Sequence, residues 1–348
     1  MSEERYANPQ APWPEAGHGL AMEAQDAADM AQRPKRPAAE NGTRRPAWGW
    51  ISPRLEALIL LLVFVAGASS GYVLRGLIPV LQAQRAEAAA TSLRKQVTPA
   101  AGFTLPATYG EIGPQLLRVG AIDEDKFVRL YQTNGRPLND EQLAILRQGS
   151  QAPIVINQQN AYFMLNFFWA LGLVNKNPIL EQGPMMQAGK QNVGNFASTG
   201  GWTLGARTAT ALYASVEIVK LTAEQQARLE EVAANVYRPC CNNPTSFPDC
   251  NHGMALLGLL ELMAGQDATV DQMFTAAKQV TAFWFPEQML EVATFFRAVE
   301  GKDFATADPR RIVGQDFMSA SGFQATHQAL SAKGLLPQAP KGGSSCGV

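Results

Sequence analysis

Cys240, Cys241, Cys250 and His252 fall within thirteen residues, in the stretch Tyr237-Arg-Pro-Cys-Cys-Asn-Asn-Pro-Thr-Ser-Phe-Pro-Asp-Cys-Asn-His-Gly253. The whole chain carries four cysteines and three histidines, so most of its soft-ligand chemistry sits in one short segment. Thiolate sulfur and neutral imidazole suit a thiophilic ion, Zn²⁺ or Cu(I). Adjacent cysteines rarely both reach one ion without strain. A set built from Cys250, His252 and one of the Cys240–Cys241 pair is therefore easier than a four-ligand site, with Cys346 as an outside candidate. Pro239 breaks the helix expected before the pair, and Asn251 or Asp249 is expected to cap the helix that follows. That places Cys250 and His252 at a helix N-terminus, where partial positive charge favours thiolate and neutral imidazole, the metal-competent forms.

Two other chemistries compete for the same residues. A disulfide from Cys240 or Cys241 to Cys250 would staple two helix ends, for about 2–3 kcal/mol in the chain-entropy model, and would suit an interaction or scaffold protein. Thiol redox or carrier chemistry would draw on Cys346, which stands near the chain end in Pro340-Lys-Gly-Gly-Ser-Ser-Cys-Gly-Val348. Over fewer than ten residues this end resembles the swinging arm of bacterial thiosulfate-carrier proteins, whose fold is a β-sandwich. A mobile thiol on a short tether can visit a fixed one at high effective concentration. Nucleophilic catalysis by Cys250 with His252 is disfavoured, because residues two apart at a helix start point in different directions. His327 is the remaining distant base, and nothing in the sequence brings it near. The reading leans away from an enzyme.

The methionines add little to the cluster. Met254 lies about 200° around the helix from His252, and Met263 shares its face only some 16 Å along the axis. Glu261 falls on the opposite side.

The segment that carries these residues belongs to an exported domain on a membrane anchor. Residues 1–50 are rich in Pro, Ala, Glu and Arg with almost no aliphatic periodicity, and read as a disordered cytoplasmic tail. Ala57 to Leu74 is uncharged and bounded by Glu56 and Arg75; eighteen residues rising ~1.5 Å each span about 27 Å, enough for a bilayer core. Trp48, Trp50 and Tyr72 suit its interfaces. The transmembrane helix is placed at 55–81, a helical stalk and linker at 82–102, the globular domain at 103–334, and a flexible tail with Cys346 at 335–348. Lys35, Arg36, Arg44, Arg45 and Arg54 precede the span, while Arg75, Arg85, Arg94 and Lys95 follow it. This small bias favours a cytoplasmic N-terminus and an extracytoplasmic C-terminal domain, where thiols meet an oxidising compartment. With 29 basic and 30 acidic residues and a charged fraction of 17%, the chain has no nucleic-acid signature. The partners implied are a membrane and a metal ion.

Helical spacing dominates the domain, which is expected to be all-α, a set of packed helical hairpins. Helices are predicted from Asn139 to Gly149, Ala161 to Val174, Thr222 to about Arg238, Asn251 to Met263, Val270 to Phe285, Pro286 to Val299 and Gly322 to Ala332. Ala152 to Ile156 is the single strand candidate. Gly189 to Gly205 reads as a non-helical structural loop anchored by Trp202, and buried Asn166 is expected to bond to the backbone of that loop.

Overall fold

The computed structural model describes residues 52–187 and 189–336, and side chains at 53, 56, 66–83, 85 and 86 lie outside that description. The predicted tail at 1–50 and Cys346 lie outside it too. The chain divides into two units, Met1–Val73 and Leu74–Val348.

In the first unit helix α1 begins. It runs Pro53–Val97, and Leu58 to Val65 are all exposed on it, with Leu60 at 69% and Phe64 at 74%. Eight successive residues at 3.6 per turn cover every side of a helix, so no polar face exists there. Among the described residues no helix is long and apolar enough to cross a membrane, and the predicted span at 57–74 continues past Val65 into side chains outside the description.

The second unit opens with the end of α1. Leu93 and Val97 are buried in its core and Arg94 pairs with Glu287 at 2.9 Å. The stalk predicted at 82–102 thus ends packed on the domain. Strand β1 (Phe103–Gly110) follows, then α2 (Ile112–Arg118), α3 (Glu124–Thr133), α4 (Asp140–Gln148) and β2 (Ser150–Ile156). The strands pair antiparallel, Phe103 with Ile156 and Gly110 with Ser150, and the register shifts between Thr104 and Thr108. The domain is therefore mostly helical, with one small sheet that the all-α expectation lacks. β1 does alternate, burying Leu105, Ala107 and Tyr109. Pro106 disguises it, yet a proline facing outward on a two-stranded sheet removes no needed hydrogen bond.

The centre is a helix pair, α5 (Ala161–Val174) and, after α6 (Ala223–Asn235), α7 (Asn251–Gly265). Both are apolar on nearly all sides, as helices buried on every face must be. Their backbones touch where Gly172 meets Gly258: a Cβ on Gly258 would lie 2.4 Å from the Phe168 carbonyl oxygen, and one on Gly172 2.1 Å from that of Met254. Against this pair packs α8 (Val270–Trp284), with α9 (Pro286–Glu300) on α8 and α10 (Ala320–Ala332) on α9. Asn139, Thr222 and Thr269 each close a capping box with a glutamine three residues on, which fixes the starts of α4, α6 and α8.

Two local expectations change. The Gly189–Gly205 stretch contains a 3-10 turn at Lys190–Asn195 and a short helix at Ala197–Gly200. Trp202 does anchor it, donating to the Ala121 carbonyl at 2.9 Å and packing edge-on to Trp169. Asn166 bonds elsewhere: its amide donates to the Tyr131 hydroxyl at 3.0 Å and the Tyr162 carbonyl at 3.3 Å. The reason is proximity, since α3 and the previous turn of α5 already supply those acceptors.

Candidate metal centre

The cysteine-bearing loop joins α6 to α7 and is pinned at several points. Thr245 returns to Val236 through its backbone N–H and its hydroxyl, at 2.8 and 2.9 Å. Ser198 N–H donates to the Asp249 carbonyl, and Phe196 packs edge-on to Phe247, so the glycine-rich stretch forms one wall. The start of α10 forms another: Ala320 N–H donates to the Cys241 carbonyl, and Ser321 donates to Asn242. A loop fixed this way loses little further entropy when its side chains converge on a ligand.

Beneath it lies Arg238, fully buried, whose role sequence reasoning missed. Its Nε donates to Cys250 Sγ at 3.2 Å, Nη1 to the Asn243 carbonyl at 2.8 Å, and Nη2 to the Phe247 carbonyl at 3.0 Å and Asp249 Oδ1 at 2.6 Å. Asn243 Nδ2 takes the other Asp249 oxygen at 2.8 Å. A buried guanidinium must satisfy its N–H groups, and this loop is wound around them. Gly253 makes room, because a Cβ there would lie 2.5 Å from the guanidinium. The signals were present in sequence, as an arginine two residues before the first cysteine, an aspartate before Cys250 and a glycine after His252. Periodicity alone gives no reason to join them.

Neither Asn251 nor Asp249 caps α7. Cys250 is the N-cap, its sulfur accepting from Gly253 N–H at 3.4 Å. Asp249 is held away by Arg238 and Asn243, and Asn251 is already the first helical residue, accepting from its neighbour His252 N–H. Cys240 Sγ lies 3.4 Å from Cys250 Sγ, and all three loop cysteines are free thiols. Cys240 is exposed, while Cys241 and Cys250 are half-buried. His252 is buried against Phe285, ring centroids 4.4 Å apart, and Trp284, at 5.9 Å, and its Nε2 has no hydrogen-bond partner.

The charges divide accordingly. Cys250 is held far below the ordinary thiol range, first by hydrogen bonds from Cys240 and Cys241; burial opposes this and Arg238 reinforces it. Cys240 is pushed far up, first by its hydrogen bond to Cys241, then by that to Cys250 and by burial. At Cys241 the contact with Cys240 pulls down, but the contact with Cys250 and burial outweigh it, and the thiol is raised to about 11. Burial lowers His252 to about 4, keeping it neutral.

The four predicted site residues thus lie together, in two overlapping sets. Cys240, Cys250 and one ring nitrogen of His252 have ligand atoms within 4.8 Å of one another, as do Cys241, Asp249 and Cys250. The first set could hold a metal ion: Cys240 is exposed, His252 Nε2 has no partner, and Cys250 alone is already held, by Arg238 and Gly253. In the second, both Asp249 oxygens are engaged. His327 bonds to Glu291 at 2.8 Å on α9 and takes no part in either set. No protein-family model, curated protein or solved structure matches this chain.

Proposed function

We propose that this chain is a membrane-anchored protein whose exported helical domain binds one thiophilic ion, Zn²⁺ or Cu(I), through Cys240, Cys250 and His252. The observation that carries the reading is the convergence within 4.8 Å of two sulfurs and a ring nitrogen of His252, a buried imidazole whose Nε2 has no hydrogen-bond partner. Zn–S bonds of about 2.3 Å set tetrahedral sulfurs roughly 3.8 Å apart, so the present 3.4 Å needs only a small opening. Deprotonated sulfur and neutral nitrogen are the forms a metal requires, and both Cys250 and His252 are already biased to them. Exposed Cys240 gives the ion an entry. Arg238 and Asp249 act one layer out, fixing the Cys250 sulfur and balancing its charge. For the anchor, the support is the exposed apolar circumference of α1 from Leu58 to Val65.

The test is metal content of the full chain, purified in detergent under reductant. About one equivalent of zinc or copper per chain is expected, falling at least tenfold in Cys250→Ser and in His252→Ala but retained in Cys241→Ser. A fully reduced protein that takes up neither Zn²⁺ nor Cu(I) would sink the reading.

A further inference from the structure

A second chemistry of the same loop follows from the unequal surroundings of its two closest sulfurs. Cys240 is exposed at the surface. Cys250 is tucked beneath it, its sulfur touched by the guanidinium of a wholly buried arginine at 3.2 Å and by the Gly253 N–H at 3.4 Å. A disulfide bond is about 2.05 Å long, so the 3.4 Å gap between the sulfurs closes with a movement of little more than 1 Å. In the joined form one sulfur faces solvent and the other faces two preset donors. That is the asymmetry thiol–disulfide exchange needs: an attackable sulfur, and a leaving sulfur whose developing negative charge is already met.

We propose that Cys240 and Cys250 form an exchange couple that passes a disulfide to a dithiol substrate. A substrate thiolate attacks Cys240 Sγ; the Cys240–Cys250 bond breaks and its electron pair leaves on Cys250 Sγ, against Arg238 Nε and Gly253 N–H. The substrate's second thiol, giving its proton to solvent, attacks the substrate sulfur now bonded to Cys240 Sγ. That releases the substrate as a disulfide and Cys240 as a thiolate, which takes a proton back. Two substrate thiols are oxidised and one protein disulfide is reduced. The couple is restored by the same steps in reverse with a second disulfide as oxidant. Cys241 also touches Cys250, but it is half-buried where Cys240 is exposed, so Cys240 is the sulfur open to attack.

The test uses the full chain in detergent, stripped of metal with a chelator, oxidised with hydroxyethyl disulfide and desalted. The Cys241→Ser/Cys346→Ser double variant should lose both of its remaining thiols with no mass retained from the oxidant, as an internal disulfide requires. That oxidised double variant should then react with reduced dithiothreitol at least about tenfold faster than hydroxyethyl disulfide does, and Cys240→Ser should abolish the fast reaction. A double variant that keeps its two thiols, or reacts no faster than the small disulfide, overturns the proposal. Because metal is removed first, this outcome is independent of whether an ion binds.

Discussion

At the scale of single residues, the loop is organised by a cation rather than by its sulfurs. Arg238 has no exposed surface and makes four hydrogen bonds, three of them to groups in the segment from Asn243 to Asp249. Its ion pair with Asp249 is buried on the arginine side, so the charge is tolerated only while every partner stays in place. Gly253 is the weak point of that arrangement. Its φ is ordinary helix, so a side chain is excluded there by the guanidinium 2.5 Å from where a Cβ would sit, and not by backbone strain. Gly253→Ala should therefore destabilise the domain by about 1–3 kcal/mol despite alanine's better helix propensity. Urea titration of the purified chain would check this, and an unchanged or raised midpoint would show that the guanidinium can move aside.

At the scale of elements, α5 and α7 bring an unusual group into the core. Glu261 lies on α7, fully buried, and neither carboxyl oxygen has a hydrogen-bond partner. Asn175 at the end of α5 draws its pKa down a little, but its own amide oxygen is taken by the Ile218 and Val219 N–H groups. Burial wins, and the carboxyl is raised well above its usual range. A carboxyl held protonated in the fold favours folding less and less as pH rises above its unfolded value near 4.3, by about 1.4 kcal/mol per unit until the folded pKa is reached. Glu261→Gln should match wild type near pH 4 and exceed it increasingly toward pH 7, measured as melting temperature against pH. Parallel curves would mean that the carboxyl ionises freely. Much at this scale was legible in the chain: α5 was bounded from its apolar run, and three helix starts from Asn139, Thr222 and Pro286. The cap of α7 was not, because a cysteine is a poor acceptor on propensity grounds and wins here only since Arg238 removes Asp249 from competition. α2 and α3 were missed as well. They are seven and ten residues long, too short to build a clear period.

At the scale of the whole molecule, what sequence and fold add together is a sharper expectation for the proposed anchor. The basic residues flanking the apolar run are five before it and four after it, Arg75, Arg85, Arg94 and Lys95, a nearly even division. Arg94, however, is committed to Glu287 on α9, beside the buried Leu93 and Val97. A guanidinium paired on the surface of a folded domain contributes less to topology than one free to meet anionic headgroups. The effective count is then five against three, which strengthens the orientation with the N-terminus cytoplasmic and the cysteine loop outside. An outside location also suits an exposed Cys240, which a reducing cytosol would keep from exchanging disulfides. In membrane vesicles of known sidedness, with an epitope tag at the N-terminus, the full chain should resist alkaline extraction. Protease added on the extracytoplasmic side should remove the domain after Val97 while the tag survives. Extraction by alkali would remove the anchor, and digestion of the tag with survival of the domain would reverse the orientation. The second outcome would move the thiols into a reducing compartment, where an ion, and not a disulfide, is the state that Cys240 and Cys250 would keep.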